Sequence, residues 1–229
     1  MAKKTSSAAV RVDRNVEPMV SEALPLKLDL GCGRNKQAGF HGVDTMPFNG
    51  VDSVWDLRVS PWRLVNVTYQ DTGERVDGDG ATTTVGIADK KYADKEWPII
   101  PDDSVDEAFS SHFVEHLTGT ERIHFFNELG RVLKKGAKAT IITPDWSHAC
   151  AYGDPTHQWP PMSSWYALYL NKGWRDQNAP HVSYTCDFDW AHGASWDEWL
   201  NVRNNETKMF AMARYINSTR DLHVNLVKK

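Results

Sequence analysis

Two stretches of this 229-residue chain bring together residue types whose spacing can do chemistry. The first, Leu26 to Asp44, reads LKLDLGCGRNKQAGFHGVD. Leu26, Leu28 and Leu30 alternate with Lys27 and Asp29 and stop at Gly31-Cys32-Gly33. This pattern predicts a buried strand whose end turns sharply, so that bare backbone can approach a ligand. Asp44 then offers a carboxylate able to accept hydrogen bonds from a ribose diol, as mononucleotide-like cofactors are held at the carboxyl edge of a parallel sheet. The third glycine of the dinucleotide fingerprint is missing. Asp44 also follows sooner than the roughly twenty residues of a dinucleotide fold, which counts against NAD or FAD.

The second stretch is Ser111-His112-Phe113-Val114-Glu115-His116. His112, Glu115 and His116 spell H-x-x-E-H, and two histidines four apart on a helix can share a zinc ion, as in a hydrolase that adds a further carboxylate ligand. Later the chain becomes rich in histidine and aromatic residues. His112, His148, Asp154 and His157 are candidate bases, because imidazole or a tuned carboxylate accepts protons near neutral pH. Each has a plain alternative as a surface or hydrogen-bonding residue. A third possibility is a module without turnover, in which ten tryptophans serve protein interfaces.

The elements that must position these groups can be read in order. Residues 1–25 show no sustained period and form an expected flexible arm, followed by a domain over 26–229. A short strand is expected over Val51 to Trp55. A β-hairpin is expected within an insertion at 63–96, from Leu64, Val65, Val67 and Tyr69 on one side and Thr82 to Ile87 on the other. Ser104 to Ser110 reads as a strand, Ser111 to His116 as the loop and the start of a helix at its carboxyl end. Thr120 to Leu133 reads as a helix with Ile123, Phe126, Leu129 and Leu133 on its apolar face, stopped by Lys134-Lys135-Gly136. Ala139 to Thr143 is a β-branched strand. Residues 146–200 form an expected aromatic cap over the substrate, with a serine-capped helix over Ser163 to Leu170 and a strand over Val182 to Phe188. A helix over Asn204 to Ser218 and a strand through Leu222, Val224 and Leu226 close the chain. Strand, helix, strand in sequence favours a parallel α/β sheet.

Hydrophobic residues at 41% and charged residues at 24% are those of a globular domain with a sizeable core. A net charge of -4 gives no general attraction to nucleic acid. No apolar run reaches membrane-spanning length, and Lys3-Lys4 lead into polar and small residues instead of a signal-peptide core. Cys32, Cys150 and Cys186 are odd in number and widely spaced, which favours free thiols and an expected cytoplasmic setting.

Taken together, DLGCG with a short loop to G-V-D, then Asp56-Leu57, then S-H-F-V-E-H-L, then E-L-G-R-V-L-K-K-G-A, then I-I-T-P-D, resemble class I S-adenosylmethionine-dependent methyltransferases, in particular a subgroup of small ones. The match covers about half of the chain, with Lys135 and Ala137 where a proline and a second glycine are usual. The resemblance implies a Rossmann-like, mostly parallel seven-stranded sheet and S-adenosyl-L-methionine as cofactor. It implies a cradle of Asp29, Gly31, Cys32, Gly33, Asp44, Asp56 and Leu57, with Asp56 and the Leu57 amide against the adenine. Ser111 and His112 would border the methyl group. The expected acceptor is a small molecule or sugar-like group attacked through oxygen or nitrogen. Gln158-Trp159-Pro160-Pro161-Met162 lacks both the polar residue before the prolines and the aromatic after them that DNA amino-methyltransferases use.

Overall fold

The computed structural model describes residues 25–65 and 99–229, together with the backbone of 75–76 and 82–83. The strands are β1 (Lys27–Leu30), β2 (His41–Asp44), β3 (Ser53–Val54), β4 (Arg75–Val76), β5 (Thr82–Thr83), β6 (Val105–Ser111), β7 (Leu133–Pro144), β8 (Phe188–Trp196) and β9 (Thr219–Lys228). Seven of them form one sheet in the order β3-β2-β1-β6-β7-β9-β8. The pairs β1/β2, β1/β6, β2/β3 and β6/β7 are parallel, while β9 runs antiparallel to both β7 and β8. This is the α/β, Rossmann-like, mostly parallel seven-stranded sheet that the sequence leads one to expect. Sequence order reverses between β1 and β6, and the crevice outside the carboxyl ends of such neighbours is where open α/β sheets receive ligands.

One apolar cluster holds the sheet to its long helix, α1 (Gly119–Val132). Leu28 and Leu30 of β1, Ile141 of β7 and Leu222 and Val224 of β9 share that cluster with Phe125, Phe126 and Leu129 of α1. Helix α1 begins with a capping box: Thr118 N–H donates to Glu121 Oε2 at 2.8 Å, and Thr118 Oγ1 accepts from the Glu121 amide. Three of the four residues expected on its apolar face, Phe126, Leu129 and Leu133, are fully buried. Ile123 is only half-buried, whereas Arg122, Phe125 and Glu128 are buried, because two charged side chains are used to tie down neighbouring chain. Glu128 Oε2 accepts from the Trp62 amide at 2.9 Å, and fully buried Trp62 donates its indole N–H to Leu57 O at 3.0 Å.

Several local expectations are corrected. The helix stops at Val132, one residue before its expected end, and Leu133 is already extended, so Gly136, part of the expected stop, lies inside β7. Residues 182–187 are not a strand; the Thr185 amide instead donates to Asn127 Oδ1 of α1 at 2.7 Å, and β8 starts at Phe188. Alternating burial there, with Cys186 and Phe188 inside, comes from packing on the helix and not from a ladder. Ser163 is not a cap: α3 (Tyr166–Leu170) starts later, after Trp165, without a side-chain cap. By contrast, α6 (Asn205–Arg214) is capped by Asn204, whose side chain accepts from the Thr207 amide, though it ends short of Ser218. The shorter helices are α2 (Cys150–Gly153), α4 (Lys172–Asn178) and α5 (Glu198–Asn201). In the insertion, β4 pairs antiparallel with β5, and Arg63 bridges to Ile99, so the chain enters and leaves that stretch side by side. The arm, Val67, Tyr69 and residues 84–87 lie outside the described residues.

Candidate functional site

The carboxyl ends of β1 and β2 are bound to each other through the glycine turn. Gly31 N–H donates to Val43 O at 2.8 Å, and Gly33 N–H donates to Asp44 Oδ2 at 2.9 Å. Asp44 Oδ1 accepts from the Met46 amide at 3.0 Å, which aims the carboxylate along the strand edge. Asp29, almost fully buried, accepts from the Gln37 amide at 2.7 Å and so shapes the loop between the strands. Burial raises its pKa despite that amide, and the neighbouring charge of Asp44 adds to the rise. Cys32 is buried too, and burial pushes its thiol up to about 12, so it serves as packing and not as a nucleophile.

The two glycines do different work. Gly31 has φ +73°, and a Cβ there would lie 2.3 Å from Phe113 Cγ, so the first motif presses against the second. Gly33 has φ +52°, and a Cβ there would meet nothing within 4 Å. The space above Gly33, beside the Asp44 carboxylate, is therefore bare backbone facing an opening, the feature a cofactor cradle needs.

Asp56 and Leu57 follow β3. Both Asp56 oxygens accept from the Arg58 guanidinium, at 2.8 Å from Nε and 2.9 Å from Nη2. Burial works to raise the Asp56 pKa, but the Arg58 hydrogen bonds outweigh it and hold the carboxyl below its ordinary value. Leu57 is buried, and its carbonyl is fixed by Trp62. Arg58 is a partner that no local pattern announces.

At the end of β6, Ser110 Oγ donates to Leu30 O at 2.8 Å, clasping the two central strands. Ser111 ends the strand and His112 adopts φ +54°, its amide donating to Ile142 O at 2.9 Å. A non-glycine residue in that region is uncommon and is found where surroundings impose it. His112 Nδ1 lies 3.3 Å from Glu115 Oε1, and its Nε2 lies 3.7 Å from Asp221 Oδ1 of β9. The Glu115 carboxylate, against partial burial, raises the imidazole pKa, and Asp221 adds to this.

The remaining candidates divide between two places. Gln158 N–H donates to Glu115 O at 2.8 Å, which brings the 154–158 segment onto the turn after β6. There the His157 ring meets the His116 ring edge-on at 4.8 Å, and Thr156 links His116 to Asp154. Thus His112, Asp154 and His157 gather about Glu115 and His116. His148 points elsewhere: its Nδ1 accepts from the Cys150 amide at 3.1 Å and its Nε2 lies 3.4 Å from Asp197. Residues not singled out beforehand are Thr156 and Arg58, close in sequence to the carboxylates they bind, and Asp221, which reaches His112 from distant sequence. Arg122 is another: it donates to the carbonyls of Val114, Glu115, Gln158 and Pro160, locking the segment in place. The H-x-x-E-H motif does not place its two histidines on one helix, since only a single turn of 3-10 helix, Val114–His116, follows His112. Around the cap, Trp146, Tyr152, Trp159 and Trp165 are exposed. No described helix is long and apolar enough to cross a membrane.

No protein-family model matches the chain, and no curated protein matches it. Solved structures do resemble it in backbone path. A SAM-dependent methyltransferase from Archaeoglobus fulgidus is 17% identical with a TM-score of 0.48, over 90% of this chain and 87% of that one. Phosphoethanolamine N-methyltransferase 2 from Haemonchus contortus, in complex with S-adenosyl-L-methionine, is 14% identical with a TM-score of 0.39, over 89% of this chain and 48% of that one. Geranyl diphosphate C-methyltransferase from Streptomyces coelicolor, in complex with Mg2+, geranyl diphosphate and S-adenosyl-L-homocysteine, is 12% identical with a TM-score of 0.41, over 90% and 71% of the respective chains.

Proposed function

We propose that this protein transfers a methyl group from S-adenosyl-L-methionine to an oxygen or nitrogen atom of a small-molecule or sugar-like acceptor. The observation that carries the proposal is the edge of β1 and β2, where the Asp44 carboxylate is fixed by the Gly33 amide beside an open space that a single methyl would enter. An acidic acceptor of diol hydrogen bonds and an uncovered backbone turn, at the reversal of strand order, suit an adenosyl compound. Asp44 would take the ribose hydroxyls. Asp56 and the Leu57 amide would take the adenine edge, with Asp56 sharing its lone pairs with Arg58. Ser111 and His112 would border the sulfonium.

When bound, the cofactor supplies an electrophilic methyl group on a positively charged sulfur. Transfer is an in-line displacement: the acceptor lone pair forms the new bond to carbon as the carbon–sulfur bond breaks, and the electron pair of the broken bond stays on sulfur. The acceptor loses one proton. The chain's share is to align the acceptor, exclude water and receive that proton. His112, His148, Asp154 and His157 are the candidates to receive it, and three of them stand near Glu115. The exposed aromatic faces of the cap, together with these polar groups, suit a polar ring-shaped acceptor.

Calorimetric titration with S-adenosylmethionine and S-adenosylhomocysteine tests the reading. Binding of both in the micromolar range, lost on Asp44→Ala, is the expected result, followed by label transfer from methyl-labelled cofactor to a panel of hydroxyl and amine acceptors. Absence of binding would leave a non-catalytic module with an α/β fold.

A further inference from the structure

The residues around Glu115 carry more than a substrate edge. Glu115 is buried, and neither of its carboxylate oxygens has a hydrogen-bond partner among the described residues. A buried carboxylate in that state is costly unless something cationic joins it; the His112 imidazole, 3.3 Å away, faces Oε1 and leaves Oε2 unanswered. The buried guanidinium of Arg122 is close, but it donates to the main-chain carbonyls of Val114, Glu115, Gln158 and Pro160, not to the carboxylate. One possible ligand atom from each of Glu115, His116 and His157 lies within 4.8 Å of those of the other two.

The hydrogen bonds around both imidazoles determine which nitrogen is available. His157 Nδ1 lies 3.1 Å from Ala151 O, and a carbonyl can only accept, so Nδ1 carries the proton and Nε2 holds a lone pair. Thr156 Oγ1 donates to Asp154 Oδ1 at 2.7 Å and therefore accepts from His116 Nδ1 at 2.9 Å, which leaves Nε2 of His116 with a lone pair as well. Carboxylate to hydroxyl to imidazole, and carbonyl to imidazole, are the outer contacts that orient histidines toward an ion and raise their basicity.

We infer that Glu115, His116 and His157 form a binding site for a divalent transition-metal ion of the zinc type, a two-histidine, one-carboxylate set assembled by the fold from the turn after β6 and the segment after α2. Ligand bonds of about 2.0–2.2 Å require only a small inward movement of side chains that far apart. Three protein ligands leave at least one coordination position open to an oxygen. On the methyl-transfer reading, that oxygen is an acceptor hydroxyl, which makes the acceptor an alcohol, phenol or sugar. Metal binding itself does not depend on that reading.

The test titrates Co2+ into the full-length, untagged protein, freed of metal with a chelator, and follows visible absorption, with Zn2+ as competitor and S-adenosylhomocysteine calorimetry in parallel. The expected result is one equivalent of Co2+ with ligand-field bands, displaced by Zn2+, and a raised melting temperature. Glu115→Gln and His157→Asn should each abolish the bands. Thr156→Val, which removes only the outer contact, should weaken binding about 10- to 100-fold. Cys150→Ser, at an exposed thiol, should leave it unchanged. Melts in chelator establish that each variant is folded. Absence of stoichiometric binding, or binding that survives both Glu115→Gln and His157→Asn, would overturn the site and leave Glu115 as a partner of His112 alone. Absence of metal binding with intact S-adenosylhomocysteine binding would refute this inference only; the reverse outcome would refute the cofactor reading.

Discussion

Replacing each cradle glycine by alanine separates folding from ligand binding. At Gly31 the new Cβ would sit 2.3 Å from Cγ, 2.4 Å from Cδ2 and 2.6 Å from Cβ of Phe113, on backbone with φ +73°. Left-handed backbone costs an alanine about 1–2 kcal/mol, and overpacking a well-filled site about 1–3 kcal/mol. The sum, about 2–5 kcal/mol, lowers the melting temperature by about 4–20 °C for a chain of this size. At Gly33 the backbone term stands alone, because nothing lies within 4 Å of the added methyl. Gly33→Ala should therefore cost only about 1–2 kcal/mol of stability. Yet it fills the space assigned to the adenosyl compound, and a clash of about 1–3 kcal/mol there weakens S-adenosylhomocysteine binding about 5- to 150-fold. Denaturant unfolding and calorimetry on both variants, with Gly31→Ala repeated in a Phe113→Ala background, measure each term. Phe113→Ala should remove the steric part, a coupling of about 1–3 kcal/mol. A Gly31→Ala that is as stable as the parent, zero coupling to Phe113, or a Gly33→Ala with unchanged affinity would refute the reasoning.

Asp44→Asn keeps an acceptor for the Gly33 amide but removes the charge, so S-adenosylhomocysteine affinity should fall about 10- to 150-fold, the worth of charge-assisted hydrogen bonds of about 1.5–3 kcal/mol; calorimetry decides. Glu128 is a pH probe. Burial acts to raise its pKa, but hydrogen bonds from Arg131 and the Trp62 amide pull it below its ordinary 4.5. Its stabilisation is then complete above that pH and lost as pH falls through the lower folded value, and Glu128→Gln, costing about 1–3 kcal/mol at pH 7, should flatten the acid limb of the stability curve. An unchanged limb contradicts the assignment. Arg122→Met leaves the carbonyls of Val114, Glu115, Gln158 and Pro160 without their donor, so it should cost about 3 kcal/mol or more and speed amide exchange across 154–162, with Arg122→Lys failing to restore it.

How much of this was legible in the sequence depends on how far each feature reaches. Alternation within β1 and β9, and the β-branched run in β7, report burial on faces set by neighbours a few residues away, so those strands stand out. The same alternation over 182–188 misleads, because a segment lying against α1 buries every second side chain without a ladder, its amides answered by Asn127. The stop of α1 is set by the pairing of Leu133 with Val105, a tertiary demand that overrides the glycine at 136. In the site, Gly33 and Asp44 were readable because one local loop joins them. The approach of His157 to His116, and of Asp221 to His112, joins parts of the chain that no short pattern links. Arg58 shows the same limit in reverse: it is a close neighbour of Asp56, but its choice of that carboxylate over solvent is a matter of side-chain geometry.

Amide hydrogen exchange with and without S-adenosylhomocysteine tests the central claim most directly. If the β1–β2 edge holds the adenosyl compound, protection should rise in peptides spanning 29–46 and 53–58, with the Gly33 region most affected and the exposed helix α6 unchanged. Protection confined to other segments, or none at saturating ligand, would contradict the cofactor assignment.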